Sequence, residues 1–216
     1  MDVAELITRY PRLHHMTEAG AAGSIERHGL RTAADLAAAG GVEAAIRVRR
    51  TASVRFDHPE AGPVVLRDQL PLRPHLLVDR LVGMTAEEWL ATLNERVYFW
   101  PEAERLEELL RARSYRGREH DVLVVDTAGL VAAHGPRVEL SAINSGAVLW
   151  PNAAPRGAGT FRPVADYPFD DRLAARGPRR AIAEVTVVGG VPDLADHLVR
   201  VERRRATVPE ARRGHR

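Results

Sequence analysis

The chain has 216 residues, 45% of them hydrophobic and 28% charged, which is the composition of a globular protein rather than a disordered one. This length suits one well-filled hydrophobic core and predicts a single domain over residues 1–202. The sequence contains neither cysteine nor lysine, which excludes disulfides, thiolate metal sites, Schiff-base chemistry and a P-loop lysine. The net charge of +2 is too small to indicate nucleic-acid binding by itself.

The two ends of the chain carry different signals. The first fifteen residues contain acidic groups where a signal peptide has a basic start and an apolar centre. No apolar run approaches the roughly 20 residues that a membrane span needs. We therefore expect a cytoplasmic protein with no membrane partner. Residues 203–216 are rich in arginine and predict a basic, mobile tail.

The N-terminal half is predicted to be mainly helical. A short helix over residues 19–28 is expected to end at Gly29, with Leu30 placed to touch Ile25, as a left-handed cap with its apolar contact requires. A second short helix is predicted over residues 32–39.

A hairpin and a well-marked helix follow. Residues 53–56 and 64–67 alternate in polarity around a turn rich in Pro and Gly, which predicts two paired strands. Thr85 and Glu88 have the spacing of a capping box, so a helix is expected to begin there and to end near Asn94.

The second half alternates strands and helices. A short strand is predicted over residues 97–100 and a helix over 102–113. Residues 122–125 are apolar on both faces and predict a central strand. Residues 181–188 predict another long strand. Residues 142–163, rich in Gly, Pro and Asn, predict a long loop that is functional or mobile. The pattern indicates an α/β (α+β) fold with short helices.

The familiar catalytic motifs are missing, since there is no GxGxxG after a strand and no GxSxG. His14 and His15 lack the i, i+4 spacing of a zinc pair, so no metal site is expected. Three strings stand out instead: LHHMT at residues 13–17, RVYFWP at 96–101 and RAIAEVTV at 180–187.

The order of these strings resembles the ADP-ribosyltransferase superfamily of the His-Tyr-Glu type, and is most similar to its DarT family. Those proteins begin with a His-x-Thr strand before a helix ending in Gly-Leu, carry an aromatic strand in mid-chain, and end with an Ala-Glu strand. The wider sequence also resembles a family of uncharacterised bacterial proteins. The resemblance implies one ADP-ribosyltransferase-like domain with a split, mixed β-sheet core, and NAD as co-substrate.

On this resemblance the central site residues are His15, Tyr98 and Glu184. Breaking the nicotinamide bond of NAD gives an oxocarbenium-like ribose, and a carboxylate such as Glu184 can hold the neighbouring 2'-hydroxyl as positive charge develops. We expect it to be partly desolvated, which would raise its pKa. Tyr98 offers a flat face for the nicotinamide ring. The period of two along a strand favours His15 over His14 for a ribose hydroxyl.

Further contacts are predicted around these three residues. Thr17 could hold an adjacent ribose or backbone group. Arg67, or in second place Arg49 or Arg50, is expected to bind the pyrophosphate, because a guanidinium can bind two oxygens at once. Loop residues Asn144 and Ser145 are predicted on the acceptor side.

The resulting functional hypothesis is an enzyme that transfers ADP-ribose from NAD to a nucleic acid or a protein, as a toxin or phage-defence effector does. Two alternatives stay open. The chain could be a non-catalytic nucleotide- or nucleic-acid-binding module of the same fold, or an RNA 2'-phosphotransferase. The second alternative needs a basic His and Arg constellation for phosphate that the sequence does not offer.

Overall fold

The computed structural model describes residues 1–112 and 115–205. Their helices and strands confirm the predicted α+β fold. The α-helices, in chain order, are α1 Val3–Arg9, α2 Ala22–His28, α3 Ala33–Ala39, α4 Ala44–Arg47, α5 Pro74–Val78, α6 Ala86–Asn94, α7 Ala103–Arg111, α8 Thr127–His134, α9 Phe169–Arg176, α10 Pro178–Ala181 and α11 Leu194–His197. The strands are β1 Arg12–Glu18, β2 Val54–His58, β3 Gly62–Leu66, β4 Leu81–Val82, β5 Arg96–Phe99, β6 Glu119–Asp126, β7 Val138–Ser141, β8 Arg156–Gly157, β9 Phe161–Pro163, β10 Glu184–Val188 and β11 Leu198–Arg205.

A three-stranded antiparallel sheet has the order β1-β6-β11. Its middle strand, β6, contains residues 122–125, which are fully buried because both faces of the strand are covered. The predicted central strand is therefore confirmed. Residues 203–205 pair with β6 as the end of β11, so this part of the predicted mobile tail is ordered strand. Residues 206–216 lie outside the described residues.

A four-stranded antiparallel sheet has the order β5-β10-β7-β9. It meets the three-stranded sheet through an isolated antiparallel bridge between His14 and Trp100. The two residues exchange backbone hydrogen bonds of 2.9 Å and 2.8 Å. This bridge places β1 beside β5, although the two strands belong to different sheets.

The predicted helix and hairpin signals in the first half are confirmed. The Thr85 hydroxyl accepts a hydrogen bond from the Glu88 amide, and the Glu88 carboxylate accepts one from the Thr85 amide, which begins α6 as a capping box. The hairpin forms from β2 and β3. Helix α3 follows its cap, Thr32, as expected.

Helix α2 starts later than the sequence indicated, at Ala22 rather than at residue 19. The carboxylate of Asp121 accepts hydrogen bonds from the amides of Gly20, at 2.7 Å, and Ala22, at 3.4 Å. These bonds hold the preceding residues in a turn, so the helix cannot begin earlier. The helix ends at Gly29, as predicted, but with φ 77° and ψ 169° this glycine does not adopt the left-handed helical conformation of the predicted cap.

Two boundaries in the second half also differ from the prediction. Strand β10 begins at Glu184 and not at residue 181, because Pro178 starts the short helix α10, which runs to Ala181. The expected long loop over residues 142–163 contains the two short strands β8 and β9. Strand β8 pairs in parallel with β4, which ties the middle of this segment to the first half of the chain.

The largest hydrophobic cluster is formed by the inner faces of the two main sheets and the helices against them, with Leu13, Phe99, Leu123 and Val185 all fully buried. Burying apolar side chains of this size contributes about 1.5–3 kcal/mol each to folding. Within the described part of the chain, no helix is long and apolar enough to cross a membrane.

Candidate functional site

Three neighbouring strands carry the three central residues predicted from the sequence. His15 lies on β1, one residue after the bridge to β5. Tyr98 lies on β5, directly opposite Thr186 of β10. Glu184 is two residues before Thr186, so its side chain projects from the same face of β10 as that of Thr186. This is the face of the sheet on which Tyr98 lies. Residues more than eighty positions apart in the sequence are thus brought together.

A cavity of about 640 Å³ opens at this junction. Its size lies in the range that holds a nucleotide-sized ligand. The site residues favoured by the sequence all line it, namely His15, Thr17, Arg67, Tyr98, Asn144, Ser145 and Glu184. Of the two second-place arginines, Arg50 lines it and Arg49 does not. Helix α2 and the turn after it form one wall, where the backbones of Leu30 and Val191 exchange two hydrogen bonds of 2.8 Å.

The His15 imidazole is held in one orientation. Its Nδ1 lies 2.8 Å from the backbone oxygen of Tyr98, and since a carbonyl only accepts, Nδ1 carries the proton. Burial lowers the pKa of His15 to about 4, and the nearby charge of Arg67 acts in the same direction. The ring is therefore neutral at pH 7. Its Nε2 keeps a lone pair and has no hydrogen-bond partner among the described residues.

The Tyr98 phenol is anchored at its hydroxyl, which donates a hydrogen bond of 2.9 Å to the backbone oxygen of Leu93. On one side the ring meets Phe161 edge to face, at 6.4 Å between centroids. Burial, together with the negative charge of Glu184, raises the pKa of the phenol well above its usual value. Tyr98 is thus a fixed, neutral aromatic surface at the cavity.

The Glu184 carboxyl group is buried, with 4% of the residue exposed. The backbone amide of Ser145 donates to both of its oxygens, at 3.2 Å each. Burial raises the pKa of Glu184 to about 7, while Ser145 and the charges of Arg105 and Arg156 act against this rise. The expected desolvation is therefore present. With this pKa, both the protonated carboxylic acid and the carboxylate form of Glu184 are populated at neutral pH.

The segment around Ser145 shapes the site in a way that the sequence did not indicate. Ser145 was predicted on the acceptor side, yet its amide holds the Glu184 carboxyl group. Its hydroxyl lies beside Glu184 and Tyr98, is buried, and forms no well-aligned hydrogen bond within the described residues. Asn144 lines the cavity next to it.

Arg156 is a residue of this site that sequence analysis missed. It is 3% exposed, and its guanidinium donates to the backbone oxygens of Asn144 and Ala147, on either side of Ser145. One arginine among so many carries no signal of its own, because its partners are carbonyl groups of a loop whose path depends on the fold.

Arg67 extends into the cavity with an incomplete set of partners. Its Nε lies 3.7 Å from a carboxylate oxygen of Glu18, and its guanidinium stacks over the Tyr115 ring at 5.3 Å. The Nη2 atom is buried and has no hydrogen-bond partner within the described residues. A buried donor without a partner costs about 1–3 kcal/mol, and an anionic oxygen is the kind of acceptor that would offset this cost.

Arg49 and Arg50 do not have this freedom. Every donor group of Arg50 engages the protein, through the oxygens of Arg67, Ala45 and Asn94. Arg49 donates to the backbone oxygens of residues 69 and 70. Arg50 lines the cavity, but the guanidinium groups of both arginines hold the loop that carries Arg67, so Arg67 stays the first candidate for the pyrophosphate.

A second cluster of titratable groups lies behind the cavity wall. His134, Asp193 and His197 place their ligand atoms within 4.8 Å of one another. However, Arg137 approaches His134 Nδ1 at 2.6 Å, and because a guanidinium only donates, Nδ1 must accept. His134 Nε2 then carries the proton and donates to Asp193 at 2.6 Å. This tautomer leaves no lone pair on Nε2 for a cation.

A sequence model of one protein family matches residues 11–198, and its description is "Family of unknown function (DUF7002)". The match spans most of the chain and includes the three strands that carry His15, Tyr98 and Glu184. No curated protein and no solved structure matches the chain.

Proposed function

We propose that this chain, which belongs to the DUF7002 family of unknown function, is an ADP-ribosyltransferase that transfers ADP-ribose from NAD to a macromolecular acceptor. One observation carries the proposal. The buried Glu184 carboxyl group lines the same cavity as the His15 imidazole and the Tyr98 ring, and the three are supplied by adjacent strands. This is the convergence that the resemblance implies for its central residues.

The reaction needs a carboxylate more than any other group. When the bond between C1' of the ribose and the nicotinamide nitrogen breaks, the bonding electrons leave with the neutral nicotinamide and C1' becomes cationic. Glu184, as a carboxylate, accepts a hydrogen bond from the adjacent 2'-hydroxyl, and this bond strengthens as the positive charge grows. The acceptor nucleophile then bonds to C1' and loses its proton to the solvent.

The same cavity offers groups for the rest of NAD. Tyr98 presents a flat, fixed ring that limits rotation of the nicotinamide during bond cleavage. The Nε2 lone pair of His15 accepts a hydrogen bond from a ribose hydroxyl, and Thr17 follows on the same face of β1. Arg67 supplies its unpartnered Nη2 to the pyrophosphate.

On the acceptor side, Asn144 keeps its predicted role, whereas the Ser145 amide serves Glu184. In this proposal the acceptor is a nucleic acid or a protein and the biological role is that of a toxin or a phage-defence effector. A reaction that consumes NAD fits a cytoplasmic location, which belongs to the same proposal.

The direct test incubates the purified full chain with NAD labelled in its adenylate part and with DNA, RNA and protein acceptors. We expect label transfer and release of nicotinamide by the wild type, and loss of both in Glu184→Gln. Glu95→Gln, an exposed glutamate next to β5, is the matched control and keeps the activity. NAD binding without any nicotinamide release would overturn the enzyme proposal and support the non-catalytic binding module.

A further inference from the structure

Arg156 is a buried charged residue that lies next to the cavity without lining it. Its backbone is fixed by the pairing of β8 with β4 and by a 2.7 Å hydrogen bond from its amide to the oxygen of Arg80. Its side chain is buried, with 3% of the residue exposed. Burial of an arginine is costly unless its donors are satisfied, so the contacts of this guanidinium need an explanation.

The guanidinium binds backbone oxygens of one turn. Nη2 donates to Asn144, at 3.3 Å, and to Ala147, while Nη1 donates to Ala154 at 2.5 Å. Asn144 and Ala147 lie on either side of Ser145. A planar fork that holds both carbonyl groups therefore fixes the orientation of the peptide units between them, including the amide that faces Glu184.

Within the described residues, one acidic group acts electrostatically on the Arg156 guanidinium. Glu184 is the carboxyl group whose charge acts on the Arg156 guanidinium, and Arg156 Nε is buried without a hydrogen-bond partner in the described residues. The other groups that act electrostatically on Glu184 are Arg105 of α7 and the Tyr98 phenol of β5. Arg156 is thus one of two cations that favour the ionised carboxylate.

We propose that Arg156 is a positioning residue for Glu184: it fixes the turn at residues 144–147, so that the Ser145 amide holds the carboxylate, and it stabilises the negative charge. This inference rests on the proposed transfer reaction for its functional meaning. The linkage between the two side chains is nevertheless a property of the protein alone, and it can be measured without NAD.

The test follows the titration of Glu184 by ¹³C NMR in protein labelled at the glutamate carboxyl carbon, with Glu184→Gln to assign the signal. In Arg156→Met the pKa of Glu184 should rise by about one unit or more, since a nearby cation and an amide donor are both lost. Arg156→Lys keeps the positive charge but loses the planar guanidinium group, so it should raise the pKa of Glu184 by less than Arg156→Met does. Arg162→Met, which removes an exposed arginine of β9, should leave it unchanged.

Kinetics give the second measurement. A one-unit rise in the pKa of Glu184 from about 7 lowers the ionised fraction at pH 7 by about fivefold. In Arg156→Met, kcat should fall by at least this factor with little change in KM, and the pH profile should move upward by the shift seen in NMR. A merely structural arginine would lower the amount of folded enzyme without moving the profile.

The outcomes separate this inference from the proposed function. An unchanged Glu184 titration in folded Arg156→Met overturns the positioning role, whatever the wild type does with NAD. If Arg156→Met does not fold, the test uses Arg156→Lys instead. An unchanged Glu184 titration and an unchanged pH profile of kcat in Arg156→Lys then overturn the positioning role of Arg156. A wild type that releases no nicotinamide overturns the function, while a shifted titration still supports the linkage.

Discussion

The Nδ1 of His15 donates a 2.8 Å hydrogen bond to the backbone oxygen of Tyr98. This bond joins two of the three central residues and decides which nitrogen of the imidazole is available. Because Nδ1 holds the proton and burial keeps the ring neutral, Nε2 can only accept. A neutral acceptor suits a sugar hydroxyl and would be useless toward a phosphate oxygen, which also accepts.

His15→Phe should weaken NAD binding by about tenfold, since a lost hydrogen bond that leaves a hydroxyl unpaired costs about 1–1.5 kcal/mol. The phenyl ring keeps the aromatic shape that meets Phe99 edge to face in the wild type. His14→Phe is the matched control, because His14 bonds to the Trp100 backbone and does not line the cavity. Calorimetric titration with NAD measures both, and equal losses in the two variants would contradict the assignment.

Arg67→Gln should weaken the binding of NAD but not of nicotinamide riboside, which lacks the pyrophosphate. The loss for NAD should be about 10- to 100-fold, as expected for a charge-assisted hydrogen bond of about 1.5–3 kcal/mol. Arg55→Gln, at an exposed position of β2, controls for the change in net charge. A similar loss for both ligands would show that Arg67 supports the cavity instead of contacting the phosphates.

Glu184→Gln should change how stability depends on pH. The pKa of Glu184 is raised in the fold, from 4.5 to about 7, so its contribution is complete below pH 4.5 and is lost as pH rises to 7. The shift corresponds to a contribution on the order of 3 kcal/mol. Between pH 4.5 and 7 the wild type should therefore lose stability relative to Glu184→Gln, which does not titrate there.

The pKa of His15 acts in the opposite direction. It is lowered to about 4, so the unfolded chain binds a proton that the native protein does not, and stability falls as pH decreases below 6.5. In the wild type the two slopes largely cancel. Urea unfolding at several pH values measures this, and parallel stability curves for the wild type and Glu184→Gln would refute the raised pKa.

Gly29→Ala should destabilise the protein much more than Gly20→Ala. Both glycines have positive φ, 77° and 90°, so an alanine is strained at either position, and at Gly29 the ψ of 169° adds to the strain because that region is occupied almost only by glycine. At Gly29 the added Cβ would also lie 2.5 Å from the Cα of Pro192, whereas at Gly20 it meets no atom within 4 Å. The larger loss of stability expected for Gly29→Ala therefore combines the clash with a more restricted backbone conformation. Equal values would mean that the turns move apart readily.

Local signals in the sequence predicted the elements whose causes are local. The Thr85 and Glu88 side chains cap a helix through contacts three residues apart, and residues 122–125 are apolar on both faces, so neither needs knowledge of the fold. The period of two also separated His15 from His14.

Long-range contacts could not be predicted in the same way. The start of α2 depends on the Asp121 carboxylate, about a hundred residues further along the chain. The hydrogen bond from the Ser145 amide to Glu184 depends on the path of the loop next to β10 and on the hydrogen bonds that Arg156 donates to this loop. Such contacts follow from the packing of the sheets, which no short stretch of sequence encodes.

The bridge between His14 and Trp100 joins the two sheets beside the cavity. One pair of backbone hydrogen bonds connects the sheet that carries His15 to the sheet that carries Tyr98 and Glu184. The distance between the His15 imidazole and the Glu184 carboxyl group therefore depends on this bridge, together with the bond from His15 Nδ1 to the Tyr98 oxygen that joins the same two sheets. If the width of the cavity is constant, the amide hydrogens of His14 and Trp100 should exchange slowly with solvent. Binding of a dinucleotide should slow the exchange of these two amides more than that of other amides.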